Sequence, residues 1–192
     1  MGSISVSSPT LSYRPLMIFI DGGYLRKEVK KNFGHDEINF EMFSQIIRKG
    51  TIRGNIISEL VRVYYYDAQI EHEENPTEYQ KQKDYFQKIR LTANHEVKLG
   101  RLIKMQGDKY RQKGVDILLA IDMITKAYQN HYALACLVAG DDDYVDLIRS
   151  IKDLTGKRVI GAYFKDSVSS RLVESFDERI ILSKDILQQC IK

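Results

Sequence analysis

Short apolar runs rich in β-branched and aromatic residues recur along the chain, and segments with helical periodicity separate them. This alternation is typical of an α/β protein, in which each strand returns through a helix to a neighbouring parallel strand. The runs contain few polar residues, as expected for parallel strands that are covered by helices on both faces. We therefore predict an α/β fold with a mainly parallel central sheet. The predicted strands cover residues 17–20, 60–66, 134–139, 159–164 and 180–182.

Helix start and stop signals stand between these runs. Asn39 can cap a helix that ends at Gly50, and a second helical pattern begins near Tyr144 and stops at Gly156. Residues 114–129 have the same periodicity, so we expect this helix to pack on the sheet. The side chains expected to make that contact are Ile117, Ile121, Ile124 and Tyr128.

The length of 192 residues fits one domain. We predict that the Ser-rich residues 1–15 form a flexible leader and that residues 16–192 form the domain. No apolar stretch approaches the roughly 20 residues of a membrane span, so no membrane partner is expected. The two cysteines form no metal-binding or disulfide pattern, which favours a reducing, cytoplasmic setting.

Residues 68–113 interrupt the strand and helix alternation. We predict a loop over 71–75, a polar helix over 76–90, and a β-excursion over 97–113 that turns near Gly107 and Asp108. Residues 81–113 contain ten Lys or Arg and three Asp or Glu, within a chain whose net charge is +3. Such a basic segment favours nucleic acid, although an ordinary solvated face is the alternative. The candidate contacts are Lys113, Arg111, Lys104 and Arg101.

Acidic residues follow the predicted strands at their carboxyl ends. Asp21 ends the first strand before Gly22, and Asp141 and Asp143 follow the run 134–139. In open parallel sheets, ligands bind beyond the carboxyl ends of the strands. Asp116 begins the helix after Gly114 and can reach the same edge. Asp21 could instead be an ordinary polar end of a buried strand, and the other three aspartates could be helix caps. Only their combination predicts a site.

Several carboxylates that converge raise each other's pKa, so the cluster requires a cation. Oxygen-only ligation suits Mg²⁺ or Mn²⁺ and argues against zinc. Such an ion can activate a bound water and polarise a phosphoryl oxygen. The chemistry that this pattern favours is metal-assisted hydrolysis of phosphodiester bonds, with Asp21, Asp116, Asp141 and Asp143 as catalytic metal ligands.

Other aspartates are given lesser roles. Asp122 lies six residues after Asp116, about 120° around the helix, so we expect it to be structural or to support the ligands. Asp142 is expected to point to water between its two neighbours. Asp67 and Asp146 are expected to be solvated.

Three segments, in this order and spacing, resemble the NYN domain, a branch of the PIN-like nuclease superfamily, and within it the LabA-like group. They are "FIDGGY", "QKGVDILLAIDM" and "LVAGDDDYVDLIRSIKDLTGKRVIGAYF", and the likeness covers residues 16–184. The resemblance implies a three-layer α/β/α sandwich with a mainly parallel central sheet, PIN-like or Rossmann-like. It also implies an acidic site dependent on Mg²⁺ or Mn²⁺, with RNA as the usual substrate.

The family motif matches Asp21, Asp116, Asp141 and Asp143 position by position, and Asp122 matches a frequent family acid. Two departures stand out. Many relatives have Asn where this chain has Tyr24, a position that could orient a water or a phosphate. Ala139 replaces the usual Ser before "GD".

The favoured function is a metal-dependent endoribonuclease, and two alternatives remain. The first is a non-catalytic RNA-binding or protein-interaction module of the same fold. The second is a haloacid-dehalogenase-like phosphatase, which needs Asp-x-Asp after the first strand, where this chain has Gly23. A homo-oligomer is possible if the terminal residues 186–191 expose an apolar surface.

Overall fold

The computed structural model describes residues 12–104 and 110–191, without the side chains of residues 103, 104 and 110–112. The first strand begins at Ser12, inside the segment predicted as a leader, and residues 1–11 of that segment lie outside the described residues. The strands are β1 (Ser12–Asp21), β2 (Ile56–Gln69), β3 (His95–Lys104), β4 (Tyr110–Lys113), β5 (Leu134–Val138), β6 (Arg158–Phe164) and β7 (Glu178–Leu182).

The helices of the described chain lie between these strands, and a short 3-10 turn, Asp142–Tyr144, leads into the fifth helix. They are α1 (Gly22–Phe33), α2 (Phe40–Gly50), α3 (Pro76–Arg90), α4 (Val115–Tyr128), α5 (Val145–Thr155), α6 (Ser170–Ser175) and α7 (Lys184–Gln188).

All five predicted strands are present, and the predicted α/β fold is confirmed. The sheet has the strand order β4-β3-β2-β1-β5-β6-β7, and every neighbouring pair is parallel except β3 and β4. From β1 the chain builds outward to β2 and β3, and after α4 it returns to place β5 on the other side of β1. The order of strands therefore reverses between β1 and β5, which is where open parallel sheets bind ligands.

Alternate residues of β1 enter the two cores on opposite faces of the sheet. Ile18 and Ile20 lie in the core covered by α1, α2, α3 and α7, whereas Met17 and Phe19 lie in the core covered by α4, α5 and α6. The molecule is thus a three-layer α/β/α sandwich. None of the helices in the described part of the chain combines the length and hydropathy of a membrane-spanning helix.

The capping signals correctly predict both ends of α2, at Asn39 and Gly50, and the end of α5. The Asn39 side chain accepts a hydrogen bond from the Met42 N–H at the start of α2. Helix α5 ends at Gly156, which has the left-handed φ of 65° that favours glycine. Helix α1, in contrast, is not predicted, because its first residues are two glycines and its only buried large apolar side chains are Leu25 and Val29.

Helix α4 packs on the sheet through a different face from the one predicted. The buried residues are Val115, Leu119, Met123 and Ala127. The predicted contact residues Ile117, Ile121 and Tyr128 are 64%, 56% and 57% exposed, and Ile124 is only partly buried. Both faces have apolar residues at helical spacing, so the periodicity alone does not choose between them.

The predicted interruption of the alternation is only partly correct, because β2, α3 and β3 form a regular parallel β-α-β unit and only β4 runs antiparallel. Helix α3 covers residues 76–90, and β3 and β4 form an antiparallel hairpin whose predicted turn at Gly107 and Asp108 lies outside the described residues. At the other end of the chain, Leu187 and Cys190 are buried in the core, so the terminal segment 186–191 packs on the sheet instead of forming an apolar outer surface.

The packing of α4 can be tested by truncating one residue on each face. Leu119→Ala removes a side chain with no exposed surface and should lower the free energy of unfolding by about 2–5 kcal/mol. Ile121→Ala, on the face predicted from the sequence, should cost less than about 1 kcal/mol because most of that side chain is already in water. Urea unfolding of both variants checks this. Equal losses would show that the face opposite to the one described also packs.

Candidate active site

A cavity of about 630 Å³ lies at the carboxyl ends of β1 and β5, where the strand order reverses. Residues from β1 and α1, from the start of α4 and from the loops after β5 and β6 line it. They are Asp21, Gly23, Tyr24, Lys27, Asp116, Gly140, Asp141, Asp142, Ser167 and Ser169. Three of the four predicted ligands are therefore brought to one cavity.

Asp21 is both the last residue of β1 and the N-cap of α1. Its Oδ1 accepts a hydrogen bond from the Tyr24 N–H at 3.0 Å. The close turn requires glycine at position 22, since a Cβ there would lie 2.5 Å from the Tyr65 ring. The pKa of Asp21 is raised to about 6, chiefly by burial and also by the nearby Asp116 and Asp67, while the Tyr24 N–H opposes the shift. The strand end thus holds a carboxyl group whose charge is poorly compensated by the protein.

Asp116 approaches Asp21 from the opposite side of the cavity. Gly114 has a φ of 80°, and this left-handed conformation turns the chain from β4 into the first turn of α4. Between the two carboxylates lies the hydroxyl of Tyr144, 3.0 Å from Asp116 Oδ1 and 3.3 Å from Asp21 Oδ2. Burial and the two carboxylates raise the pKa of Tyr144 well above its usual value, so the hydroxyl keeps its proton.

Tyr144 is a site residue that the sequence did not single out. It stands next to the acidic run, but an aromatic residue at the start of a helix is ordinarily a core residue. The ring is indeed in the core, 2% exposed, and only the hydroxyl reaches the cavity. A tyrosine next to the predicted ligands combines an apolar ring with a polar hydroxyl, and this could have indicated a site residue.

Of the three consecutive aspartates, Asp141 faces the cavity as predicted, and the other two differ from the prediction. Asp141 lines the cavity, and its Oδ1 accepts the Asp143 N–H at 3.3 Å, which caps the 3-10 turn. Asp142, expected to point to water, instead lines the cavity and accepts hydrogen bonds from Ser169 and Arg171. Asp143, the fourth predicted ligand, is exposed and does not line the cavity. Successive side chains of a 3-10 turn point about 120° apart, so Asp143 faces away from the cavity that Asp142 lines.

Tyr24 joins two loops at the cavity. Its hydroxyl accepts a hydrogen bond from the Phe164 N–H at 2.9 Å and lies 3.3 Å from the Ser167 Oγ. Gly140 fits beneath it, because a Cβ at this position would collide with the Ser167 carbonyl oxygen and the Tyr24 ring. Tyr24 therefore connects the start of α1 to the loop after β6.

Asp122, predicted to be structural or to support the ligands, lies away from the cavity. It forms ion pairs with Lys98 and with Lys126, the latter at 3.1 Å, and accepts a hydrogen bond from the Tyr66 hydroxyl at 2.8 Å. Although burial raises the pKa of Asp122, the three donors outweigh it and lower the pKa below its usual value. Its contacts are thus structural.

Asp67 was expected to be solvated, but it is fully buried near the carboxyl end of β2. Its Oδ2 lies 2.9 Å from Arg26 Nε, and its Oδ1 accepts from Arg26 Nη2 at 3.1 Å. Because β2 continues past Asp67 to Gln69, this residue lies inside the sheet and not at its edge. Arg26 of α1 and Tyr85 of α3 lie beside its side chain. Burial raises the pKa of Asp67, and Arg26 opposes that shift.

Among the predicted nucleic-acid contacts, Arg101 and Lys113 are exposed and stand directly opposite each other across the β3–β4 hairpin. The side chains of Lys104 and Arg111 lie outside the described residues. Lys27, which was not predicted, lines the cavity one and a half helical turns after Asp21. The acidic cavity thus has a cation on its α1 wall.

These observations define a class of protein: a mainly parallel α/β sandwich with carboxylates at the point where the strand order reverses. The chain belongs to the NYN domain family, whose model matches residues 15–183, and this family is part of the PIN-like nuclease superfamily. The resemblance stated from the sequence is thereby confirmed. None of the curated proteins matches the chain significantly.

A solved structure supports the fold over nearly the whole chain. It is a protein of unknown function, VPA0982, from Vibrio parahaemolyticus, which superposes with a TM-score of 0.69. The match covers 93% of this chain and 98% of that one, at 17% sequence identity. At this identity the likeness concerns the fold alone.

Nucleases of the NYN family typically depend on a divalent cation. Within residues 12–104 and 110–191, no three His, Cys, Asp or Glu side chains stand close enough to form a ready-made metal cluster. Mg²⁺, however, usually retains several waters and is held by only one or two carboxylates. Asp21 and Asp116 fit that requirement, because one carboxylate oxygen of each contacts the same Tyr144 hydroxyl. Ligands that are all oxygen suit Mg²⁺ or Mn²⁺.

The raised pKa of Asp21 makes the metal-free protein sensitive to pH. Between about pH 4 and pH 6 the folded protein holds a proton that the unfolded chain has lost, so stability falls as the pH rises through this window. The loss by pH 7 should be on the order of 2 kcal/mol. In Asp21→Asn, which keeps an acceptor for the Tyr24 N–H, this part of the pH dependence should vanish. Urea unfolding in chelator from pH 4.5 to 7 measures it, and parallel curves for both proteins would contradict the assignment.

Proposed function

We propose that this protein is a metal-dependent endoribonuclease that hydrolyses RNA phosphodiester bonds at the cavity between β1 and β5. The observation that carries the proposal is the convergence of Asp21, Asp116 and Asp141, from three separate elements, on one cavity at the switch point. Such like charges are unfavourable together unless a cation offsets them. Membership of the NYN family supports nuclease chemistry at this position.

Each residue of the cavity has a role in this proposal. Bound Mg²⁺ or Mn²⁺ would supply an activated water and polarise the phosphoryl oxygen. Asp21 and Asp116 would hold the ion, and Asp141, which lines the same cavity, would complete the acidic lining or orient a water. Lys27 lines the same cavity and can offset the negative charge of a phosphate. The fourth predicted ligand, Asp143, is left out of this assignment because it does not line the cavity.

The β3–β4 hairpin supports a polyanionic substrate. Arg101 and Lys113 face each other across antiparallel strands, an arrangement of like charges that destabilises a sheet. Among the described residues neither forms an ion pair, so the cost is not offset there. At Gly100 a Cβ would lie 2.7 Å from the Lys113 carbonyl oxygen and 2.8 Å from Val115 Cγ2, so the hairpin packs tightly against the start of α4. The two cations therefore lie beside the helix turn that carries Asp116, where a nucleic-acid backbone could pass.

The two alternatives are less well supported. A haloacid-dehalogenase-like phosphatase needs a second carboxylate at position 23, and Gly23 occupies it in the first turn of α1. A non-catalytic RNA-binding module would use the same hairpin without the acidic cavity. It would show salt-dependent RNA binding without cleavage.

Removing one carboxylate tests the proposed chemistry. Asp116→Asn should lower Mn²⁺-stimulated cleavage of a single-stranded RNA at least about 100-fold, since even the partners of metal ligands cost 10–100-fold when mutated. Asp146→Asn is the matched control, because its side chain is 91% exposed on α5. Cleavage is measured with Mn²⁺ and with chelator. Chelator-resistant cleavage, or equal rates for both variants, would refute the proposal, and a comparable loss in Asp143→Asn would restore Asp143 as a ligand.

The basic hairpin makes a separate prediction about binding. Arg101→Gln combined with Lys113→Gln should weaken RNA binding at low salt about tenfold and reduce the slope of log affinity against log salt by about 2. Cleavage at saturating RNA should change little. The control is Arg48→Gln combined with Lys49→Gln, the same charge change at the end of α2, where Arg48 lies beside the first residues of β2 and not at the cavity. If both pairs reduce the slope equally, the hairpin has no special role in binding.

A further inference from the structure

The Tyr144 hydroxyl stands between two carboxylates that belong to different elements. It lies 3.0 Å from Asp116 Oδ1, at the start of α4, and 3.3 Å from Asp21 Oδ2, at the end of β1. Among the described hydrogen bonds, no other side chain joins these two aspartates. The distance between the two proposed ligands is thus set through one side chain.

The ring of Tyr144 is held firmly enough to set that distance. It is 2% exposed in the core beneath α4 and α5, and the residue ends the 3-10 turn that Asp141 caps. Helix α5 starts at the next residue, so the main chain is fixed on both sides. Only the hydroxyl oxygen is presented to the cavity.

The hydroxyl cannot satisfy both carboxylates at once. A phenol has a single proton, so it donates to one carboxylate while its lone pairs face the other. The shorter contact is with Asp116, which leaves the Asp21 oxygen opposite an oxygen at 3.3 Å. The arrangement therefore aligns two carboxylates without fully compensating their negative charge. A bound cation would supply the missing compensation.

We propose that Tyr144 is a positioning residue that aligns Asp21 and Asp116 for a divalent cation, an inference that rests on the metal-dependent function proposed above. It touches neither the ion nor the RNA. Its contribution is to cation affinity, and it leaves the hydrolytic step itself to the carboxylates. The acidic run 141–143 thus supplies its site residues at positions 141 and 142, and the residue after it, Tyr144, supplies the bridge.

The test compares Tyr144→Phe with Tyr132→Phe in the full-length protein. The two substitutions delete the same buried hydroxyl in the same core, because Tyr132 is 1% exposed and donates to the Met123 carbonyl oxygen at 2.8 Å, away from the cavity. Mn²⁺ affinity is measured from the loss of the free-ion electron paramagnetic resonance signal. Thermal unfolding in chelator verifies that both variants fold.

We expect Tyr144→Phe to weaken Mn²⁺ binding about tenfold and Tyr132→Phe to leave it unchanged. The Mn²⁺ concentration for half-maximal RNA cleavage should rise by the same factor, while kcat at saturating Mn²⁺ stays within about threefold. Wild-type affinity in Tyr144→Phe, an equal loss in Tyr132→Phe, or no Mn²⁺ binding by the wild-type protein would overturn the inference. A fall in kcat at saturating Mn²⁺ with unchanged affinity would also overturn it, by showing a role in the chemistry.

The same measurements separate this inference from the proposed function. If the wild-type protein binds Mn²⁺ and Tyr144→Phe binds it about tenfold more weakly, but neither cleaves RNA, the positioning role stands and the nuclease assignment fails. If the wild-type protein cleaves RNA and Tyr144→Phe has wild-type affinity, the nuclease assignment stands and the positioning role fails.

Discussion

The parallel pairing of β1 with β5 is the constraint on which the candidate site depends. It brings the end of β1, with Asp21, next to the loop that carries Gly140 and Asp141, although 120 residues separate them. Because β2 and β3 lie on the other side of β1, the chain must cross the sheet between β4 and β5, and α4 makes that crossing. Asp116 reaches the cavity for this reason alone. The acidic cavity therefore depends on the order of the strands more than on any local sequence motif.

The electrostatics of the site follow from the same geometry. A strand end buried between neighbouring strands desolvates Asp21, and the crossing helix adds a second carboxylate close to it. The protein offsets part of this cost with two neutral donors, the Tyr24 N–H to Asp21 and the Tyr144 hydroxyl to Asp116. By contrast, it neutralises Asp67 and Asp122 with its own Arg26, Lys98 and Lys126. Asp21, Asp116 and Asp141, in contrast, form no ion pair within the described residues, and all three line the cavity.

The sequence predicted the parts of the site that depend on strand ends. Asp21 and Asp141 follow apolar runs, and Asp116 follows a glycine before a helix, so their meeting could be inferred from topology. Asp67 could not be placed, because the sequence does not show that β2 continues beyond "YYYD" and buries it. Asp142 and Asp143 point in different directions because they lie in a 3-10 turn. That turn has only three residues, too few to show a periodicity in the sequence. The bridge made by Tyr144 joins partners 28 and 123 residues away, which only the fold brings together.

Helix α4 shows how a residue outside the site can still matter to it. The helix has apolar side chains on its outer face as well as on its inner face, so the burial of apolar surface specifies its rotation about its own axis only weakly. The polar contacts break this degeneracy: Asp122 holds one flank of the helix against β2 and β3 through Tyr66 and Lys98. Asp116 lies on the same rigid helix. By holding the rotation of the helix, Asp122 therefore also influences the direction in which Asp116 points, although Asp122 itself does not line the cavity.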